Sequence, residues 1–181
     1  MGRAKVKALT YPYRPYLSPG AIGFFALVLQ YPLLPPWATA FEWGSGGSTI
    51  WLAERCRSLV SIEHDPEWHH LVEGKLHEMG LEADLRFVRE ERYAEAIGGY
   101  PDKTLDLVFV DGIDRTRSEC VARAIPKVKP GGWLILDDTH WAKLKPAREQ
   151  LAEWPHFIAI GYKDHNGKRI RTQTTFYRRE T

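Results

Sequence analysis

The chain has 181 residues, of which 44% are hydrophobic and 27% charged, a composition typical of one globular domain and not of a disordered or fibrous chain. Its formal net charge of only +2 argues against a polycation that coats nucleic acid. Cys56 and Cys120 show neither a C-x-x-C pair nor zinc-ligand spacing, so we expect reduced core thiols. The longest apolar run, residues 21–29, is about half a membrane span, and the basic start lacks the apolar stretch of a signal peptide. We therefore expect a cytoplasmic protein with no membrane partner.

Residues 1–38 differ in composition from the rest, being rich in proline and aromatic side chains, and only one helix is predicted among them, around residues 20–30. We expect them to form a cap or lid on a domain over residues 39–181. From Thr39 onward, short apolar runs alternate with helical patterns, which is typical of βα units around a parallel sheet. The predicted strands are Thr39–Trp43, Ser58–Glu63, 84–88, Leu105–Val110 and 133–136.

The clearest helix signals and the clearest hairpin signal follow these strands. Asp65 is a predicted N-cap, Pro66 fits the first helical position, and Gly80 marks the end of the helix. Near the C-terminus a helix is predicted around residues 143–153. After it, residues 156–162 and 170–177 are strand-like and are joined across an Asn-Gly pair, which favours a hairpin. The predicted fold is a single-domain, doubly wound α/β structure whose mostly parallel, seven-stranded sheet ends in an antiparallel hairpin.

A glycine-rich loop follows the first predicted strand. Gly44 and Gly46 fit the start of a dinucleotide-binding motif, but Thr49 replaces its third glycine. Glu63 ends the second strand 19 residues after Gly44, close to the separation at which an acid reaches a ribose diol. A strand–turn–helix without any ligand would explain the loop alone, whereas the loop and Glu63 together predict a nucleoside site.

Five carboxylates fall at or near the predicted C-terminal ends of the strands, where ligands bind in open α/β sheets: Glu42, Glu63, Asp111, Asp137 and Asp138. They are a poor cradle for a pyrophosphate, but they suit ribose hydroxyls, an ammonium and a sulfonium. S-adenosylmethionine presents all three. The chain also lacks a Tyr-x-x-x-Lys pair and a Walker loop, which disfavours nicotinamide-dependent hydride transfer and nucleotide hydrolysis.

Four segments resemble the successive motifs of class I S-adenosylmethionine-dependent methyltransferases, within a resemblance that spans about residues 39–177: 42–49, 61–65, 107–112 and 129–138. The resemblance implies a Rossmann-like fold and transfer of a methyl group to a small-molecule acceptor, with oxygen favoured as the methylated atom. It places the Gly44–Ser48 loop under the methionine part, with Glu42 nearby. It also places Glu63 at the ribose hydroxyls, and His64 with the Arg92–Tyr93 region towards adenine. The residues expected to bind the cofactor are Glu42, Gly44, Ser45, Gly46, Gly47, Ser48, Glu63, His64, Arg92, Tyr93 and Asp111.

The candidate catalytic residues are Asp111, Asp137 and His140, at or just after the ends of the last two parallel strands. Asp111, Asp137 and Asp138 together could hold Mg²⁺, as in the catechol-type O-methyltransferases that this arrangement resembles. That subfamily, however, usually has Asn in place of Asp138 and Lys in place of Asp114, so a metal is not the favoured expectation. Two alternatives remain open. One is a metal-free role, with His140 as base or Asp137 as hydrogen-bond acceptor, and the other is simple capping of the strand ends by these acids.

Two groups of basic residues have more than one interpretation. Arg115 and Arg117 could bind an acidic group on the acceptor, although a solvated helix start with Asp114 as N-cap is slightly favoured. Residues 162–181 carry six basic and two acidic side chains, which a charged sheet edge explains. No RNP-like or zinc-knuckle motif supports a nucleic-acid partner. The alternatives to a methyltransferase are an NAD(P)-dependent oxidoreductase and a non-catalytic nucleoside- or RNA-binding module.

Overall fold

The structure, a computed structural model, describes residues 9, 13–30, 38–165 and 167–181. Its strands are β1 Thr39–Trp43, β2 Ser58–Glu63, β3 Asp84–Phe87, β4 Leu105–Val110, β5 Val128–Leu136, β6 His156–His165 and β7 Lys168–Arg178. Its helices are α1 Pro19–Val28, α2 Gly47–Ala53, α3 Pro66–Glu78, α4 Arg117–Ala124 and α5 Lys145–Gln150, with 3₁₀ turns at Glu90–Arg92, Ala94–Gly99 and Ala142–Leu144.

The seven strands form one sheet in the order β3-β2-β1-β4-β5-β7-β6. The first five strands are parallel, and β7 runs antiparallel to both β5 and β6. The chain moves outward from β1 to β3 and then returns to place β4 on the other side of β1. The loops after β1 and β4 therefore diverge, and such a switch point is where open α/β sheets bind ligands. The predicted fold, including the closing hairpin, is confirmed.

Both faces of the sheet are covered, which explains why the central strands read as continuous apolar runs. Phe41 and Trp43 face a cluster that includes residues of α4 and α5, whereas Ala40, just before Phe41, faces the side covered by α1 and α2. On that second side, Phe25 of α1 packs edge-on against Phe109 of β4. Alternation along each strand thus assigns neighbouring side chains to two separate cores.

Two elements differ most from those predicted. The strand β5 begins at Val128 and not at residue 133, because the backbone of Gly131 and Gly132 pairs with Arg179 although their sequence is typical of a turn. The predicted helix over residues 143–153 is a 3₁₀ turn followed by α5, with Pro146 near its start. The helix α3 begins as predicted, since the Asp65 carboxylate accepts the backbone N–H groups of Glu67 and Trp68.

The residues predicted to form a cap are described only in part. Residues 1–8, 10–12 and 31–37 lie outside the described residues, and the cap stays a prediction. Within the described part, α1 packs against β6, and Phe24 stacks on Phe157 with ring centroids 4.1 Å apart. No helix among the described residues is long and apolar enough to cross a membrane.

Candidate functional site

A cavity of about 460 Å³ opens where the chain leaves the carboxyl ends of β1, β2 and β4. Most of the residues predicted to bind a cofactor line it: Gly44, Ser45, Gly47, Ser48, Glu63, His64 and Asp111. Six further lining residues were not singled out as cofactor ligands: Tyr16, Asp65, Trp68, Gly112, Ile113 and Asp114. The cavity therefore joins the glycine loop, the acid at the end of β2 and the loop after β4.

The glycine loop lies directly against the loop that follows β4. Gly44 has φ +96°, and a Cβ there would lie 2.7 Å from the carbonyl oxygen of Asp111. Both the left-handed backbone and the close approach require glycine. On the other side of the loop, the Trp68 indole N–H donates to the Ser45 carbonyl at 2.7 Å and ties the loop to α3. These contacts hold the backbone of the loop open to a ligand.

Glu42 lies beneath this loop and does not line the cavity. Its Oε2 accepts hydrogen bonds of 2.7 Å from the hydroxyls of Thr49 and Ser61, and the Thr49 hydroxyl accepts the Gly46 N–H at 2.8 Å. Its Oε1 is buried with no hydrogen-bond partner among the described residues. Thr49, the departure from the glycine motif, is therefore the link through which Glu42 stabilises the loop.

Replacing Glu42 by glutamine is expected to remove a pH-dependent loss of stability. Burial raises the pKa of Glu42 from its usual 4.5 to about 7. Between these values the unfolded chain binds fewer protons than the folded protein, so the wild type loses stability as the pH rises. The variant keeps an oxygen for Thr49 and Ser61, so its advantage over wild type should grow by on the order of 2 kcal/mol from about pH 5 to about pH 8.

Urea denaturation across that pH range measures this difference. Glu54→Gln is the matched control, because Glu54 is an exposed glutamate just after α2. A constant stability difference between Glu42→Gln and wild type at every pH would contradict the buried titration.

Glu63 is held rigidly at the cavity wall. Its Oε1 accepts the backbone N–H groups of His64 and Asp65, each at 2.8 Å, and its Oε2 accepts the Ser45 hydroxyl at 3.0 Å. The partly exposed His64 ring lies beside it, with Nδ1 2.9 Å from Oε1. A carboxylate fixed in this way is oriented before a ligand arrives.

Seven predicted site residues are not among the described residues that line the cavity: Glu42, Gly46, Arg92, Tyr93, Asp137, Asp138 and His140. The Arg92 side chain is exposed and pairs with Glu95 at 3.2 Å. Tyr93 is fully buried beneath Gly112, and its hydroxyl donates to the Ile62 carbonyl at 3.3 Å. His140 is exposed beside the Trp141 ring. Tyr93 thus packs beneath the loop after β4 and is not among the described lining residues.

Asp111, Asp137 and Asp138 do converge, as predicted: each can place one carboxylate oxygen within 4.8 Å of the others. Asp138 adopts φ +55°, a left-handed backbone that aspartate tolerates better than most residues. Burial raises the pKa of Asp111, and the Asp137 carboxylate raises it further. Three acids gathered in one place need positive charge nearby, and the structure supplies it from two side chains.

Arg117 is the first of these cations, and the favoured interpretation of a solvated helix start is wrong for it. Its guanidinium is 5% exposed and lies 2.9 Å from Asp111 Oδ1 and 3.7 Å from Asp138 Oδ2. It also donates to the backbone carbonyls of Gly112, Asp111 and Asp137, so its guanidinium is engaged within the protein and not solvated. Thr116, and not Asp114, is the residue before α4. Arg115 is exposed and pairs with Glu90.

Lys163 of β6 is the second cation, and nothing in the sequence singled it out. Its Nζ lies 3.1 Å from Asp137 Oδ2 and 3.5 Å from Asp138 Oδ1. Asp137 Oδ1 accepts the Thr174 hydroxyl at 2.6 Å, so both oxygens of Asp137 are engaged within the protein. Mg²⁺ needs near-octahedral oxygen ligands at about 2.0–2.1 Å. The acid cluster, with two cations already inserted, does not fit Mg²⁺.

Residues 41–139, more than half of the chain, match the family model described as "Methyltransferase domain". The chain belongs to this family. Over 96 residues the methyltransferase domain is 26% identical to a "Putative O-methyltransferase" of Mycobacterium sp. (strain JLS). That match takes in 51% of the chain and 44% of the Mycobacterium protein, so the matched region spans less than half the length of that relative.

Solved structures show the same fold as this methyltransferase domain. An O-methyltransferase from Bacillus cereus in complex with SAH aligns with a TM-score of 0.67 and 17% identity, over 90% of this chain and 82% of that one. A precorrin 8w decarboxylase from Methanobacterium thermoautotrophicum aligns with a TM-score of 0.63 and 21% identity, over 90% and 92% of the two chains. The two names differ in reaction, so the fold alone does not specify the chemistry.

Proposed function

We propose that this methyltransferase domain binds S-adenosylmethionine in the 460 Å³ cavity and transfers its methyl group to an oxygen of a small-molecule acceptor. The observation that carries the proposal is Glu63, whose carboxylate is fixed by two backbone N–H groups at the cavity wall, beside the glycine loop. The name of the Mycobacterium relative and the SAH bound to the Bacillus cereus protein support it.

The charge of the cavity favours this cofactor over a dinucleotide. Glu63, Asp65, Asp111 and Asp114 line it, and no lysine or arginine is among its described lining residues. Such a wall attracts the sulfonium and the ammonium of S-adenosylmethionine and repels a pyrophosphate. Glu63 Oε2, now bonded to Ser45, would accept the ribose hydroxyls, while the loop from Gly44 to Ser48 would pass beneath the methionine part.

Methyl transfer to oxygen requires alignment and removal of one proton. The acceptor oxygen forms a bond to the methyl carbon as the carbon–sulfur bond breaks, S-adenosylhomocysteine leaves, and the hydroxyl proton passes to a base. Asp111 lines the cavity, and its Oδ2 has no hydrogen-bond partner among the described residues, since Arg117 engages Oδ1. We assign Asp111 as the group that accepts the proton. Asp137, with both oxygens engaged, positions its neighbours and does not react.

The acceptor would enter between the loop after β4 and the N-terminal segment. Ile113 and Asp114 line the cavity on one side, and Tyr16 lines it from the segment predicted to be a cap. The Tyr16 hydroxyl donates to the Asp164 carbonyl and lies 3.2 Å from His165 Nδ1, which attaches this segment to the hairpin of β6 and β7. The proposed cap thus contributes an aromatic wall suited to a planar acceptor.

Calorimetric titration with S-adenosylmethionine, S-adenosylhomocysteine and NAD tests the cofactor directly. We expect both sulfur compounds to bind with one-to-one stoichiometry and NAD to give no heat of binding, because its pyrophosphate meets an acidic wall. Mass spectrometry of phenolic and aliphatic alcohols incubated with enzyme and S-adenosylmethionine then tests for a gained methyl group. Binding of NAD alone, or retention on RNA at physiological salt without methyl transfer to any acceptor, would refute the proposal.

A further inference from the structure

We propose that Lys163 is a built-in cation that occupies the place of a divalent metal between Asp137 and Asp138, and that the site therefore works without one. The inference deepens the proposed function by assigning the charge balance of the same site. It rests on contacts within the chain, so metal binding can be tested separately from cofactor binding.

The Lys163 ammonium is enclosed on several sides. It contacts Asp137 Oδ2 at 3.1 Å and Asp138 Oδ1 at 3.5 Å, and it donates to the Tyr16 carbonyl at 3.2 Å. The Tyr16 ring lies over it, with Nζ 4.7 Å from the ring centroid, so the side chain is only 8% exposed. A lysine held by two carboxylates, a carbonyl and an aromatic face has exchanged its hydration shell for protein partners.

The oxygens that a metal would need are already engaged. Hydroxyl groups of β7 donate to both acids, from Thr174 to Asp137 Oδ1 at 2.6 Å and from Thr172 to Asp138 Oδ1 at 3.1 Å. Arg117 covers the remaining side, close to Asp111 Oδ1 and Asp138 Oδ2. Asp111 Oδ2 is the one oxygen of the three described carboxylates that faces neither a hydrogen-bond donor nor a cation.

The balance of charge in the acid cluster also argues against a bound divalent metal. Lys163 and Arg117 stand against at most three charges of the acid cluster, and Asp114 beside Arg117 is paired with Lys143 at 2.6 Å, so little negative charge is left to attract a divalent ion. A metal entering between Asp137 and Asp138 would also lie within a few ångströms of the Lys163 ammonium, where repulsion is strong because water is largely excluded. Removing the ammonium while keeping the acids should instead create a cation site, since the carboxylates would lose their main partner.

Mn²⁺ binding followed by electron paramagnetic resonance tests this inference on wild type, Lys163→Gln and Lys168→Gln. Lys168 lies on the same hairpin, but it is exposed and remote from the acids in the β6–β7 register, so it is the matched control. We expect wild type and Lys168→Gln to leave the free-ion signal unchanged, and Lys163→Gln to bind one Mn²⁺ at least about tenfold more tightly, a change of about 1.4 kcal/mol.

Two results would overturn the inference. One is stoichiometric Mn²⁺ binding by wild type, and the other is a folded Lys163→Gln, checked by circular dichroism, that gains no affinity for Mn²⁺. If Lys163→Gln does not fold, NMR spectra of wild type labelled with ¹⁵N-lysine, recorded with and without Mn²⁺, decide the question. An ammonium signal of Lys163 unbroadened by Mn²⁺ supports the inference, and selective broadening contradicts it. Failure to bind S-adenosylmethionine would refute the proposed function but leave these outcomes unaffected.

Discussion

Replacing Arg117 by methionine is expected to lower the free energy of unfolding by about 3–5 kcal/mol, because it leaves buried carboxylates without their cation. The Arg117 side chain is 5% exposed, and it lies within ion-pair distance of Asp111, Asp114 and Asp138. It also supplies hydrogen bonds to three backbone carbonyls of the loops after β4 and β5. Methionine fills a similar volume, so the loss should come from uncompensated charge and unpaired carbonyls and not from a cavity.

Urea denaturation of Arg117→Met, Arg115→Met and wild type measures this effect. Arg115 lies two residues earlier, in the loop before α4, and pairs with Glu90, but its side chain is 74% exposed. Exposed ion pairs contribute about 0–1 kcal/mol, so the Arg115→Met control should unfold close to wild type. Equal, small effects of the two substitutions would show that Arg117 does not balance the acid cluster.

Replacing Glu63 by glutamine is expected to weaken S-adenosylmethionine binding by about 10–100-fold, which corresponds to the roughly 1.5–3 kcal/mol of a hydrogen bond to a charged group. The glutamine oxygen can still accept the backbone N–H groups of His64 and Asp65, so the end of β2 should keep its conformation. What is lost is the charged acceptor at Oε2 that the ribose hydroxyls would use in place of Ser45.

Calorimetric titration of Glu63→Gln, Glu73→Gln and wild type measures this change. Glu73 of α3 is largely exposed and contacts His70 at 3.7 Å, so its substitution removes the same charge away from the cavity. Thermal unfolding of both variants shows whether the fold is retained. If Glu63→Gln binds S-adenosylmethionine as tightly as Glu73→Gln does, Glu63 is not the ribose acceptor.

The parts of the site that sequence predicted well are those encoded by neighbouring residues. The glycine spacing, the acid at the end of β2 and the Asp65 cap depend on local backbone preferences, and the structure places all three around the cavity. Thr49 was noticed only as a missing glycine. Its pairing with Glu42 follows from the turn into α2, which brings its hydroxyl back under the loop.

The side-chain directions of Arg92, Tyr93 and His140 could not be predicted from the sequence. Each follows a strand or motif at a suggestive position, but the direction of a side chain depends on which face of a short turn is buried. The Tyr93 side chain lies inward and packs so closely under Gly112 that a Cβ there would lie 2.3 Å from its hydroxyl oxygen, while the Trp43 indole N–H donates to its backbone carbonyl at 2.8 Å. Arg92, one residue earlier, consequently points to solvent.

The sequence by itself determined the succession of strands along the chain, the closing hairpin, the glycine loop and the gathering of acids at one edge of the sheet. These follow from periodicity, backbone preferences and the common direction of parallel strands. Only the tertiary structure decided what balances those acids. Lys163 reaches Asp137 across 26 positions because the β6–β7 hairpin folds back beside β5. Such a pairing has no local sequence pattern. The basic residues of the hairpin cannot be told apart in the sequence, and only the strand register determines which of them lies beside the acids.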